Sequence, residues 1–472
     1  MTRTVITKLF RFSLAAALIA MLVYFLWYSQ PLNLQTLLAA AFIILLLAAV
    51  MATFSSIRKL RLLKKARCLN RTFSAEFQVA YQYPVTFTEN AFQPDNPQLR
   101  QAIGSARNLM VVIDQEVLLN FPDCPTEIAD YLQQHSATKL ACQPITMPAG
   151  EEAKTQKSID QLHRQMLDCQ LDRFSRVIAI GNGSILDAVG FACATFHRGV
   201  SIIRLPTTIL GQNDAGVGVK NAINASDTKN LIGTFAPPLA VINDFRFIAS
   251  LPERDKLSGM AEAVKVAAIR DRGFFQWLEN NAERLASFEP GALKYMIQQC
   301  AALHLKQISQ GGDPFERGNA CPLDFGHWSA HKLESLSGYQ LRHGEAVAIG
   351  MALDTRYAVD AGILSSDCGI RVFKLLERLG FRLWHPAIRS RSAEGRFELL
   401  DGLEEFRQHL GGQLSITLLT AIGRAKEFNQ LSSLRITEGI RWLEQRAAAG
   451  SRDNSGKRAR VVLTHQESFQ AG

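Results

Sequence analysis

The chain has 472 residues, 47% hydrophobic and 20% charged, the make-up of a globular protein of two or three domains. That excludes whole-chain disorder, a collagen-like repeat and a small disulfide scaffold. The formal net charge of +9 invites a nucleic-acid reading, but residues 1–71 hold ten Lys/Arg and no Asp or Glu, so residues 72–472 carry a net −1.

Two apolar runs fill that basic segment, about Phe12–Tyr28 (extendable back to Leu9) and about Leu34–Phe54. No charge lies deeper than Arg11. Each run approaches the ~20 residues a helix needs to cross ~30 Å of hydrocarbon. Ser29-Gln30-Pro31 favours a turn between them, so residues 1–71 are predicted to form a two-helix transmembrane hairpin with Trp27 and Tyr28 at the far interface. Arg3, Lys8 and Arg11 precede the first run; Arg58, Lys59, Arg61, Lys64, Lys65, Arg67 and Arg71 follow the second. Basic flanks stay cytoplasmic. Both ends, and the body of the chain, are therefore expected on the cytoplasmic side of an inner membrane, with 58–71 facing anionic lipid. A signal peptide or signal anchor is the competing reading; a cleaved peptide needs a small-residue site, and none stands near Ser29. Cys68, Cys124, Cys142, Cys169, Cys193, Cys300, Cys321 and Cys368 form no CxxC pair and read as reduced and mostly buried.

Over 72–245, short apolar runs alternate with helical stretches. Leu109–Ile113, Arg176–Ile180, Ser201–Leu205 and Leu239–Ile242 read as buried strands, and Lys157–Leu167 as a polar-faced helix. The alternation predicts a Rossmann-like α/β domain with a parallel sheet. Ser250-Leu-Pro-Glu253 reads as a capping box with an early Pro. It opens a mainly α-helical domain over 246–446, with a late strand-like run at Leu414–Leu419. Residues 447–472 read as a flexible tail.

Four segments carry chemistry. Ile178 to Asp187 runs a strand through Gly181-Asn182-Gly183 into a helix, where backbone N–H groups and the helix N-terminus suit a phosphate; a tight strand–helix turn is the plainer reading. Arg198 to Thr208, followed by Asp214, Lys220, Lys229 and Asn230, is dense in groups that suit ribose hydroxyls and phosphate, or a solvated loop. Glu262 and Lys265 are i,i+3 neighbours, as in many surface ion pairs. His327 and His331 are i,i+4, with His343 twelve residues on, a cluster drawn from ten histidines in the chain. Two histidines and a carboxylate make a catalytic zinc set with an open position; core or capping histidines are the alternative.

The order of motifs is similar to that of the sugar phosphate cyclases, the family of 3-dehydroquinate synthase, over roughly residues 80–425. It includes Gly150-Glu-Glu-Ala-Lys154, Gly181–Asp187, Ala194-Thr-Phe-His-Arg-Gly199, Leu205-Pro-Thr-Thr208, Asp214 and Lys220, Lys229-Asn230, Ala261-Glu-Ala-Val-Lys265, Gly326-His327, His331 and His343-Gly-Glu-Ala-Val347. The wording resembles most the divergent branch found in bacterial ebo gene clusters. The resemblance implies a zinc or cobalt ion on Glu262, His327 and His343. It implies NAD on Asp114, Glu151 and Lys154 at the ribose, on Gly181, Gly183 and Asp187 at the pyrophosphate, and near Thr207, Thr208 and Lys229. Substrate contacts would come from Asp214, Lys220, Asn230, Lys265, Lys306 and His331. Arg198 would reach a neighbouring subunit's site in a homodimer.

The implied activity is a lyase-type cyclisation of a C7 sugar phosphate with phosphate elimination and no net redox, giving a cyclitol or cyclohexanone-type product. Two positions depart from the family. Where dehydroquinate synthases carry Arg and Asn, this chain has Ala320 and Asp324, which disfavours a substrate carboxylate. The Lys-rich C-terminal loop is altered, with Arg407 and His409 near it. A metal- and NAD-dependent polyol dehydrogenase of the glycerol type, and a membrane-tethered binding protein without activity, are the competing functions. Partners are expected to be a sugar phosphate, membrane lipid and a second copy of the chain, with no nucleic acid.

Overall fold

The computed structural model describes residues 19–21, 23–24, 27–28, 34–69, 72–135, 138–226, 228–311, 314–315, 323–409, 412 and 414–449. Residues 1–80 and 81–472 form separate compact units. In the first, helix α1 (Leu34–Leu69) runs unbroken for 36 residues. Its Leu37–Lys64 stretch holds an apolar 18-residue window with no buried side chain; among the described residues it is the one helix long and apolar enough to cross a membrane. The first apolar run and the Ser29–Pro31 turn lie mostly outside the described residues, so the expected hairpin gains no support. Arg58, Lys59, Arg61 and Lys64 continue α1.

The second unit opens on a seven-stranded sheet ordered β1-β9-β6-β5-β2-β3, with β4 also beside β2. The strands are β1 (Val85–Thr88), β2 (Asn108–Asp114), β3 (Lys139–Leu140), β4 (Ile145–Met147), β5 (Arg176–Gly181), β6 (Ser201–Pro206) and β9 (Ala240–Asp244), all parallel. Strands β2, β5, β6 and β9 are buried almost end to end, which is why their sequences read as unbroken apolar runs. Helices α2 (Gln156–Asp168) and α3 (Gly183–Thr195) supply crossovers. After β2 the chain builds β3 and β4 on one side, then crosses to β5 on the other. The carboxyl ends of β2 and β5 therefore flank the switch point where ligands lodge in such sheets; Asp114 and Gly181 end those strands. An antiparallel hairpin, β7 (Lys220–Ala225) and β8 (Thr228–Phe235), stands off the sheet.

From residue 246 the chain is mainly helical. Helix α4 (Glu253–Arg270) is buried without interruption from Ser258 to Ile269, as expected of a central helix rich in small and apolar residues. Around it lie α5 (Pro290–Gln310), α6 (His327–Leu336) and α7 (His343–Asp360). The expected capping box at Ser250 does not form. Pro252 is the N-cap of α4 without a side-chain bond, and Ser250 Oγ instead donates to the Phe247 carbonyl at 3.1 Å. The run at 414–419 appears as β10 (Ile416–Ala421), paired with β11 (Arg424–Phe428). Residues 433–449 are helical, so the helix runs three residues into the expected tail. Six described cysteines are free; Cys124, Cys193 and Cys300 are buried and Cys142, Cys169 and Cys368 half-buried. The Cys68 and Cys321 side chains lie outside the described residues.

Candidate active site

At the switch point, Asn182 Oδ1 caps α3 by accepting from the Ser184 and Ile185 amides at 2.9 and 3.3 Å. The Asn182 amide donates to Asp114 Oδ2 at 3.4 Å. Gly181 is forced by packing, because a Cβ there would lie 2.9 Å from Asp114 Cβ and 2.8 Å from Ile185 Cβ. Gly183 has ordinary room, so the two glycines of the turn do different work. Buried Lys154 donates to Asp187 Oδ2 at 2.6 Å and also to Asn230 Oδ1. Burial pushes the Asp187 carboxyl up, against the pull of Lys154. Thr207 is buried, and Thr208 Oγ1 accepts from the Gly211 amide at 3.0 Å.

The second half of the site is built on α4, α6 and α7. Glu262 Oε2 is paired with Lys265 inside the protein, both side chains almost fully buried. Glu262 Oε1 is buried without a hydrogen-bond partner. His327 Nε2 and His343 Nε2 face that oxygen at 3.7 and 3.8 Å. One ligand atom from each residue fits within 4.8 Å of the others. A buried carboxylate oxygen is costly to leave unmatched, and with the two imidazole nitrogens that face it the oxygen makes a three-ligand set that fits a divalent cation with an open coordination position. The outer ring nitrogens are occupied. His327 Nδ1 lies 3.3 Å from the Phe325 carbonyl and His343 Nδ1 lies 3.1 Å from Glu334 Oε2, the usual way a protein fixes the tautomer of a ligating imidazole.

Burial, with Lys265, His343 and His331 nearby, holds His327 well below the ordinary imidazole value, so its ring is neutral and its lone pair available. Burial alone would lower His343, but Glu334 and Glu262 outweigh it and raise it. Burial would raise Glu334, yet the bond to His343 and the Lys229 charge bring it down to about 2. Gly326, at φ 82°, turns the chain into α6. Buried Asp354 on α7 grips that turn, accepting from the Gly326 amide at 2.9 Å and Trp328 Nε1 at 2.8 Å.

Beside Lys265, Asp214 Oδ1 lies 2.6 Å from His304 Nδ1. Burial would raise Asp214, but His304, Lys265 and His327 hold it well below the usual carboxylate range. A carboxylate fixing one imidazole nitrogen leaves the other to hold or release a proton.

The structure thus brings Glu262, His327 and His343 together, with Lys265 and Asp214 in reach. Exposed His331 has its ring 5.6 Å from that of His327 and 6.0 Å from that of His343. Asn230 Oδ1 accepts from Lys154. Lys220 and Glu151 are exposed. Lys306 is exposed on α5; His304, two positions earlier and about 200° round the helix, is the α5 side chain that meets Asp214. Arg198 is exposed, with a left-handed backbone at φ 66°. Arg407 pairs with Glu404 on the surface. Ala320 and the His409 side chain lie outside the described residues.

Sequence reasoning missed two members, Glu334 and His304. Glu334 had a signal, since His327, His331 and Glu334 stand at i, i+4 and i+7, one face of a helix. His304 had only its place in an otherwise apolar run, Ala301-Ala-Leu-His-Leu305.

A parallel-sheet domain with a phosphate-type turn at its switch point, facing a helical domain with a two-histidine, one-carboxylate triad, defines a class of two-domain, metal-binding nucleotide enzymes. Residues 144–258 match the family profile of the 3-dehydroquinate synthase N-terminal domain, and residues 259–399 that of its C-terminal domain. The 3-dehydroquinate synthase of Desulforamulus reducens is 35% identical over 331 residues, 70% of this chain and 89% of that protein. That of Shewanella halifaxensis is 32% identical, covering 76% of this chain and 96% of its own length. The chain belongs to the 3-dehydroquinate synthase family. Among solved structures it is similar to the 2-epi-5-epi-valiolone synthase of Streptomyces hygroscopicus subsp. jinggangensis 5008, which has NAD+ and Zn2+ bound: TM-score 0.70, 27% identity, 80% of this chain and 100% of that one. It shares the fold of a 2-deoxy-scyllo-inosose synthase, at TM-score 0.61 and 23% identity over 76% of this chain and 96% of that one.

Proposed function

We propose that this protein is an NAD+- and divalent-metal-dependent cyclase that closes a C7 sugar phosphate into a carbocycle with loss of phosphate. The observation that carries this reading is the Glu262, His327 and His343 triad, with Lys265 buried against it, in a chain of this family. NAD+ supplies a reversible hydride acceptor and the metal a Lewis acid for substrate oxygens. The protein does the rest. His327 and His343 present Nε2 lone pairs, and Glu262 presents Oε1 while Lys265 occupies Oε2. Lys265 places a fixed positive charge where a substrate anion would sit, and Asp214 orients His304 so that its Nε2 can hold or release a proton. Lys154 and Asp187 line the nucleotide side.

The substrate end is read from Asp324. Its charge acts on Lys265, so it adds an anion where a dehydroquinate synthase has a neutral Asn. A carboxylated heptulosonate is disfavoured there and a neutral-ended heptulose phosphate favoured. Exposed Arg198 supports a homodimer in which it reaches the partner's site. Helix α1 supports a membrane-anchored enzyme with its catalytic body on the cytoplasmic side. Detergent-solubilised protein loaded with zinc and NAD+, offered both phosphates, should release phosphate faster from the neutral heptulose phosphate. Faster release from the carboxylated sugar would overturn the substrate assignment.

A further inference from the structure

The β7–β8 hairpin touches both halves of the site. On the nucleotide side, Asn224 Nδ2 donates to Glu151 Oε2 at 2.7 Å, and Asn230 Oδ1 accepts from Lys154. On the metal side, Lys229 reaches Glu334 on α6. Its Nζ lies 3.5 Å from Glu151 Oε1, 3.3 Å from Glu334 Oε1 and 4.6 Å above the centre of the Tyr339 ring. Glu334 divides its oxygens, Oε1 to Lys229 and Oε2 to His343 Nδ1 at 3.1 Å. His343 then turns Nε2 toward Glu262. Charged contacts therefore run from Glu151 through Lys229 and Glu334 to a metal ligand.

We infer that Lys229 is a positioning residue that links the nucleotide site to the metal site. It holds one oxygen of Glu334, so that the other meets His343 Nδ1 and the imidazole presents Nε2 to the ion. Three observations carry this. Glu334 is buried and has one partner per oxygen. Lys229 bridges acidic groups from both halves. The hairpin that bears it is tied to the nucleotide side by two further bonds. NAD+ seated against Glu151 and Lys154 orders the hairpin, which orders Glu334 and His343. Binding of NAD+ and metal is then reciprocal, each tightening the other. The inference rests on the cofactor part of the proposed function and is independent of which sugar phosphate is cyclised.

The test is a zinc titration of metal-free, detergent-solubilised full-length protein against a chromophoric chelator, with and without saturating NAD+. Wild type should bind zinc several-fold more tightly with NAD+. Lys229→Met should weaken zinc by about tenfold, the lower end of the effect of outer-shell changes, and abolish the NAD+ dependence; Lys229→Arg should restore both. Glu334→Gln should cost about 10–100-fold. Adding Lys229→Met to it should cost nothing more, because both act through one contact. Unchanged zinc affinity and NAD+ dependence in Lys229→Met, or fully additive losses in the double variant, would overturn the inference. Zinc binding equally weak in wild type and Glu262→Gln would instead overturn the metal site itself.

Discussion

Glu262 shows how one residue serves two roles, with one oxygen on Lys265 and the other facing the histidines. Removing the cation from a buried pair leaves an uncompensated charge, at about 3–5 kcal/mol. Lys265→Met is therefore expected to lower the unfolding free energy of the metal-free protein by that order, read by urea denaturation, and bound zinc should recover part of the loss. The Asp214–His304 pair supports a second expectation. His304→Ala should cut phosphate release by about 10²–10⁴-fold, what loss of a positioned proton-transfer group costs, and by more than Lys306→Ala. A larger effect at Lys306 would contradict that role for His304. At this scale the metal triad was legible because ligand types and spacing are local. The meeting of His304 with Asp214 was not, since only the angular position of α5 against the Asp214 turn brings that side chain to it.

The site is assembled by close approach of three helices. Gly344, second residue of α7, packs so tightly on α4 that a Cβ would fall 1.8 Å from the Ser258 carbonyl oxygen. Gly344→Ala should force α7 off α4, lowering stability by about 1–3 kcal/mol and weakening zinc binding, since Glu262 and His343 lie on those two helices. Buried Asp354 joins α7 to the turn before His327, and burial raises its carboxyl to about 7 despite two hydrogen bonds. Its folded value lies above the unfolded one, near 4. Its contribution to stability is thus full below pH ~4 and lost as pH rises to ~7. Denaturant midpoints at pH 5 and pH 8 should differ less in Asp354→Asn than in wild type. Among elements, the buried parallel strands were legible because their apolar runs are continuous. The β7–β8 hairpin was not: β8 is mostly exposed and its Lys229-Asn-Leu-Ile-Gly-Thr-Phe235 run has no clean alternation. The Ser250 capping box failed because its hydroxyl is used by the preceding turn.

For the whole molecule, the +9 charge with which the sequence is so conspicuous belongs to the first 71 residues, and the catalytic body is near neutral. In that segment the structure puts the second apolar run and the basic residues Arg58, Lys59, Arg61 and Lys64 on one helix, Leu34–Leu69. The full chain is expected to sediment with membranes and to be released by detergent but not by high salt. Release by salt alone would mean that the basic residues, rather than the apolar stretch, hold it there. The family and the two-domain plan were legible from motif order; the bond that joins Asn230 to Lys154 across 76 positions was not. The central claim is that oxidation and reduction cancel within each catalytic cycle. The most direct measurement follows phosphate release and NADH absorbance together, using zinc-loaded protein, limiting NAD+ and an excess of heptulose phosphate. The account predicts many phosphates released per NAD+ with no accumulation of NADH. Steady NADH formation without phosphate release would contradict it and mark the protein as a polyol dehydrogenase.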